Sequence, residues 1–444
     1  MWARGIRFCG GFAALLRMVA SVSLTSVSLT SVSLTSVLLT SLLACFAVFL
    51  SPSFIDGGPA HASTADFIHA EGTRLVDGSG ENFAIKGINL GNWLVPEGYM
   101  FKFKHALSPT EIAGVVETLV GTEQAGRFWS EFRDVYVAKA DIDFIKAAGF
   151  NTVRVPLNWR LFVELGDTAK DDKFDGPGWA LLDRLVQWCQ EAGLRVIIDL
   201  HAAPGGQTGV NHDDGTGFPL TFYVPRYRAL TIALWRELAA HYSHETAVLG
   251  YDLLNEPISP YNDVNYLDPQ LEPLYRDIVA AIRGVDPNHV VLLAGAQWST
   301  NFAVFGRPFD RNAVYEYHKF WANPTRDALQ DYLDFSNRWN VPVMIGETGE
   351  YTNSWNEKFR KLNERFNIGW CFWTYKNLDT NTSVVSIQKP EGWDLVAEVG
   401  SAEKGVPLSS EQAQSILDAY LEAAKLQNGR VNGGYLKSLG LVVP

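Results

Sequence analysis

Cysteine is scarce. The chain has four in 444 residues, and Cys9 and Cys45 fall within the first 62. Cys189 and Cys371 remain, each among apolar neighbours, with no C-x-x-C and no zinc-type spacing. A disulfide framework and a thiolate metal site are excluded, and two buried thiols are expected. Positive charge is also short: 37 Lys and Arg against 49 Asp and Glu give a net charge of −12. Such a surface is not built to neutralise phosphate backbones, so no nucleic-acid partner is expected. Charged residues make up only 19% of the chain and hydrophobic ones 47%, which excludes bulk disorder. No glycine-rich phosphate loop follows the first strand candidate, which weakens an open doubly wound sheet. No Pro/Ser/Thr-rich linker divides residues 63–444, so one domain is expected there.

Residues 1–62 do not read as part of the fold. Arg4, Arg7 and Arg17 give a charged start, Val37–Leu50 is a 14-residue apolar run, and Ala60-His61-Ala62 is a small-residue site. These are the parts of a secretory leader, which places the mature chain outside the cell or in a periplasm. A Ser/Thr/Val/Leu repeat from Ser21 to Thr40 lengthens the leader and reads as a low-complexity expansion. The apolar run falls short of the ~20 residues needed to span a bilayer, so no stable membrane insertion is expected. A retained leader anchor, or a lipid anchor at Leu42-Leu43-Ala44-Cys45, is the rival reading.

What the chain has in excess is aromatic side chains: 14 Trp, 16 Tyr and 25 Phe. Most belong to a core, but an acidic, aromatic-rich chain also fits a cleft where flat rings pack on sugar faces. After a hairpin signal (Arg74-Leu75-Val76 and Asn82–Ile85 across Asp77–Gly80), short apolar runs alternate with helical patterns. The strand candidates are Ile85–Leu90, Thr152–Pro156, Arg195–His201, Val248–Asn255, Val290–Ala294, Ala313–His318, Val341–Glu347 and Ile368–Trp373. The helix candidates are Ala138–Ala148, Trp179–Ala192, Arg226–Tyr242, Leu271–Val285, Ala328–Trp339, Glu357–Phe366 and a closing Ser410–Lys425. Eight strands buried on both faces and alternating with helices predict an α/β fold, a closed (β/α)8 TIM barrel.

Polar residues gather at the C-terminal ends of these strands: Arg154, His201, Asn255, Glu256, His318, Glu347 and Trp373. Barrel active sites are built at that end, and buried polar groups there need a reason. Glu256 ends the fourth strand in Asn255-Glu256-Pro257, and Glu347 ends the seventh in Gly346-Glu347-Thr348. Strands four and seven face each other across a ring of eight. Two carboxyls converging on one pocket, one protonated and one ionised, are what cleavage of a glycosidic bond requires. The bland alternative is two glutamates that each close a salt bridge at their own strand.

With these motifs in order, the chain resembles glycoside hydrolase family 5 from Phe67 to Lys425. The resemblance rests on Gly87–Leu94, Gly149–Pro156, Ile198–Gln207, Asn255-Glu256-Pro257, Ile345-Gly346-Glu347 and Trp370–Lys376. It implies a retaining hydrolase, with Glu347 as nucleophile and Glu256 as acid/base. Arg154 would hold Glu347 ionised. Asn255 would bond the sugar 2-hydroxyl, His201 and His318 would bind the same sugar or orient the carboxylates, and Trp373 would floor the reacting ring. The carboxyls should stand ~5–5.5 Å apart, and the charge of Glu347 should raise the pKa of Glu256. One departure is that Phe320 stands two residues after His318, where the family has a tyrosine; Tyr315 or Tyr317 is the candidate substitute.

Asn89–Glu97 and Ala203–Gly209 look most like the exo-β-1,3-glucanase branch, which makes Glu97 a candidate for the subsite of the reacting sugar. Trp298 and Trp321 are candidate sugar platforms. The loop Asn211–Gly217 has some look of a metal loop but lacks calcium-hand spacing, so no metal and no cofactor are expected. The expected partner is a β-glucan chain and the expected state a monomer. The other classes to weigh are a sugar-binding barrel that has lost its chemistry, a metal-dependent hydrolase using His201, His212 and the acidic loop, and a transglycosylase or mannan-active variant.

Overall fold

Eight parallel strands close into a barrel: β1 Lys86–Asn89, β2 Thr152–Asn158, β3 Arg195–Ala202, β4 Val248–Asp252, β5 Val290–Ala294, β6 Ala313–His318, β7 Val343–Glu347 and β8 Gly369–Phe372. β8 pairs with β1 through Phe372 and Ile88, which completes the ring. This computed structural model describes residues 67–400 and 408–444. The leader, its repeat, Cys9, Cys45 and the Ala60-His61-Ala62 site lie outside the described residues.

The strands bury both faces, as a parallel sheet sheathed in helices must. β2 is buried along its whole length. Inside the barrel Ile197, Leu249, Leu292, Val314, Met344 and Cys371 form one apolar cluster, and Ile68 and Leu75 of the preceding segment join it. The outer cluster lies between barrel and helices. Cys189 and Cys371 are both free and buried, as expected.

Two details differ from the sequence reading. Arg74–Val76 pairs with the preceding His69–Glu71, and its link to the expected partner is a single bridge from Val76 to Asn82. The turn is taken at Gly72, whose φ of +60 suits glycine. β4 stops at Asp252, three residues before the expected Asn255. Asn255 still donates its backbone N–H to Leu200 of β3, but Glu256 adopts a left-handed φ of 46, which strand pairing does not permit.

Before β2 stand two helices not anticipated from the sequence, Pro109–Val120 and Thr122–Tyr136. The first opens on a full capping box, Ser108 with Glu111, and has proline in its first turn. Ser410–Ala424 packs on both. A small sheet of Lys376–Leu378, Val385–Ile387 and Arg430–Val431 follows β8. Among the described residues no helix is long and apolar enough to cross a membrane.

Candidate active site

Arg154 is the third residue of β2, inside the barrel and fully buried, deeper than the strand tip at which its sequence position placed it. Six side-chain oxygens surround its guanidinium. Nε donates to Asp252 at 2.8 Å, Nη1 to Asn89 at 3.0 Å and to Glu347 at 2.7 Å, and Nη2 to Asn255 at 2.9 Å. Glu316 lies 3.5 Å from Nη2 and Asp199 3.2 Å from Nη1. The planar fork of arginine is what lets one side chain serve strands β1, β3, β4, β6 and β7 together. The carboxylates in turn hold the guanidinium protonated against the cost of burial.

Two histidines flank this centre. On β3 the side chain of His201 faces Asp199 through Nδ1 at 2.9 Å, and its Nε2 faces the Asn255 amide at 3.4 Å. Its ring stacks on Trp373, with centroids 5.6 Å apart. On β6 the ring of His318 has Glu256 Oε1 at Nδ1 and Glu316 Oε1 at Nε2, each at 2.9 Å. Ionised carboxylates only accept, so a ring held between two of them donates from both nitrogens, an arrangement that favours the imidazolium. Burial opposes that charge, but Glu347, Glu256 and Glu316 overcome it and raise the pKa to about 10.

Glu256 and Glu347 meet across the barrel mouth. A ligand oxygen of each lies within 4.8 Å of the other and of His318. The expected rise in the Glu256 pKa is not found: burial pushes it up, but the hydrogen bond and charge of His318, with His212 and His201, bring it down to about 2. The proton counted on the carboxyl therefore rests on the imidazole of the pair. His212 Nε2 stands 3.4 Å from the second oxygen of Glu256.

Glu97 joins the site. It is 8% exposed, and its Oε1 is buried with no hydrogen-bond partner. Burial, with Glu347, Glu350 and Glu256 nearby, raises its pKa to about 8 although His201 pulls the other way. Trp373 donates its Nε1–H to the Tyr99 hydroxyl at 2.6 Å, and Tyr99 in turn bonds Glu350. Trp321 is 62% exposed and reaches the Glu350 carbonyl. Trp298 is half-buried and stands edge-on to the exposed Tyr261 at 5.4 Å.

Neither candidate substitute for the absent tyrosine works. The Tyr317 hydroxyl bonds Asn363, and Tyr315 packs on Phe305 and Phe335. The limits of β6 are nonetheless as expected, and a register shift between Tyr317 and His318 brings His318 level with Glu347 on β7. Asn89, Asp199, Asp252, Glu316, Tyr99 and Glu350 were missed by sequence reasoning, and His212 was weighed there only as a metal ligand. A signal did exist for Asp199 and Glu316: each stands two residues before a histidine on a strand, hence on the same face.

The acidic loop is structural. Asp213 accepts from the backbone of Thr208, Gly209 and Gly215, and Asp214 from Arg160, Asn158 and Thr110. Among the described residues two triads of ligand-type atoms do occur, Asp199/His201/Glu347 and Glu256/His318/Glu347. In each the protein's own cations, Arg154 and His318, occupy the oxygens a metal would need.

A closed (β/α)8 barrel with paired glutamates, histidines and aromatic rings at its C-terminal mouth is the architecture of a barrel glycosyl hydrolase. Residues 110–379 match cellulase, glycosyl hydrolase family 5, and the chain belongs to that family. It is 29% identical over 349 residues to a beta-xylosidase of Phanerodontia chrysosporium, covering 70% of this chain and 71% of that one. It is 30% identical over 222 residues to a probable glucan 1,3-beta-glucosidase A of Aspergillus fumigatus, covering 49% of this chain and 51% of the relative, so the match spans about half of that protein. The fold is shared with an endogalactoceramidase at a TM-score of 0.55 and 15% identity, over 85% of this chain and 86% of that one.

Proposed function

We propose that the protein is an exported, retaining β-glycosidase of β-glucan chains, with Glu347 as nucleophile and Glu256 as acid/base. The observation that carries this is the meeting of the two carboxyls within 4.8 Å, with Arg154 bonded to one and His318 to the other. Inverting enzymes need ~6.5–9.5 Å to admit a water between the carboxyls, so the short separation favours a covalent glycosyl-enzyme. Arg154 grips Glu347 through Nη1 and aims it. The Glu256–His318 pair carries the proton that the leaving oxygen takes. Glu256 then removes a proton from the incoming water. Asn255, His201, Glu97 and Trp373 surround the reacting sugar, and the buried, unpartnered oxygen of Glu97 suits a hydroxyl of a chain end, hence exo action.

The substrate reading rests on the glucan 1,3-beta-glucosidase relatives and the Asn89–Glu97 motif. A β-xyloside is the second reading, favoured by the beta-xylosidase that matches over 70% of the chain. The leader of residues 1–62 supports export.

The test is hydrolysis of laminari-, cello-, manno- and xylo-oligosaccharides and aryl β-glycosides by residues 63–444. Cleavage of one class, lost at least ~100-fold in Glu347→Ala and in Glu256→Ala, is the expected result. An inert wild type, or full activity in Glu347→Ala, overturns the reading.

A further inference from the structure

Glu316 lies two residues before His318 on β6, so both side chains enter the barrel on one face. It is fully buried, with Oε1 2.9 Å from His318 Nε2 and 3.5 Å from Arg154 Nη2. Space for it is cut out of the neighbouring strand. A Cβ on Gly346 would stand 1.9 Å from Glu316 Oε1, so β7 needs glycine immediately before Glu347 to admit this carboxylate. Behind it, Asp252 hydrogen-bonds Glu316, while Asp252 Oδ1 and Glu316 Oε2 find no other donor. Two facing carboxyls are reconciled when one keeps its proton. Burial, with Glu316 facing it, pushes the Asp252 carboxyl well up, while Arg154 and His318 hold Glu316 down against its own burial.

We propose that Glu316 is a positioning residue that keeps a proton on the Glu256–His318 pair and thereby sets the alkaline limit of the reaction. This rests on the acid/base reading of Glu256. The proton leaves the pair for the leaving-group oxygen and is replaced by the one Glu256 takes from the incoming water, so the pair ends the cycle as it began. The groups that face His318 are Glu316 on its own strand, Glu256 from the loop after β4, and Glu347 from β7, whose Oε2 is 3.8 Å from Nδ1. Arg154 and Asp252 stand behind Glu316, and His212 faces the second oxygen of Glu256. The Asp199–His201 pair is an internal control. It has the same spacing and the same lean on Arg154, but the far nitrogen of its ring faces an amide.

The experiment is the pH profile of kcat/KM for wild type, Glu316→Gln and Asp199→Asn on the best substrate of the panel, with nitrogen-15 histidine NMR of wild type and His318→Asn. Removing the anion at Nε2 weakens the hold on the shared proton. The alkaline limb should therefore move down by about one pH unit or more in Glu316→Gln and stay in place in Asp199→Asn. In wild type at about pH 8 the His318 ring should be doubly protonated. An unmoved limb in Glu316→Gln, or a neutral His318 ring in wild type, overturns the proposal. The NMR measurement decides it even if Glu316→Gln does not fold. If wild type cleaves no β-glycoside, the acid/base reading fails separately, and the ring state still reports on Glu316.

Discussion

Strands β3 and β6 repeat one local pattern, an acid two residues before a histidine, with both acids leaning on Arg154. They make different devices. His201 spends one nitrogen on Asp199 and turns the other toward the Asn255 amide, against the face of Trp373. His318 is held between two carboxyl groups, which favours its imidazolium form. What separates them is the group that a different strand brings to the far nitrogen. A short motif of this kind specifies direction into the barrel, and the neighbouring strands assign the protonation state.

The most severe way to break the comparison is to remove the centre both acids share. Arg154→Met leaves buried carboxylates without their cation and should cost ~3–5 kcal/mol, read by denaturant unfolding. A loss below ~1 kcal/mol would mean that the two sides stand without it. Next come the histidines themselves. His318→Gln should lower kcat by ~100-fold with KM little changed, because it strips the acid/base of its partner. His201→Gln should act mainly on KM, about tenfold, through the sugar contacts it lines. Equal effects of the two on both constants would erase the distinction.

Glu97 sharpens the contrast as a carboxyl without a dyad. Burial raises its pKa to about 8, so between its ordinary value near 4.5 and about 8 the folded protein binds a proton that the unfolded chain has lost. Stability from this group is therefore present at low pH and lost as pH rises through that window. Glu97→Gln should flatten this slope, and at about pH 9 the variant should be more stable than wild type by ~4 kcal/mol relative to the difference at about pH 5. Parallel thermal curves at both pH values would show Glu97 ionised in the fold. The smallest effect is expected at Trp321, which is 62% exposed. Trp321→Ala should raise KM about threefold to tenfold and leave the melting temperature unchanged. A shift in melting with KM intact would make it a packing residue.

Much of the barrel was legible because parallel strands must be apolar on both faces, and the polar residue that ends such a run stands out. Val290–Ala294 and Ala313–His318 have the limits expected of them. Glu256 and Glu347 were legible for the same reason. The end of β4 was not, because Leu253 and Leu254 extend the apolar run beyond the last ladder pair at Asp252. The helices Pro109–Val120 and Thr122–Tyr136 were overlooked although Ser108 and Glu111 carry a capping signal, since they add a layer outside the strand–helix alternation. Asp252 was invisible as a site residue, because it looks like an isolated acid until Arg154 is placed beside it.

The sequence by itself determined the period of burial, the order of strands and helices, and the two glutamates delivered to the barrel mouth, for these follow from local polarity and chain direction. Only the tertiary structure decided where the protons sit. Proton affinity depends on charges a few ångströms away, and here those charges come from β2, β4, β6 and β7, as far apart in the chain as Arg154 and Glu347.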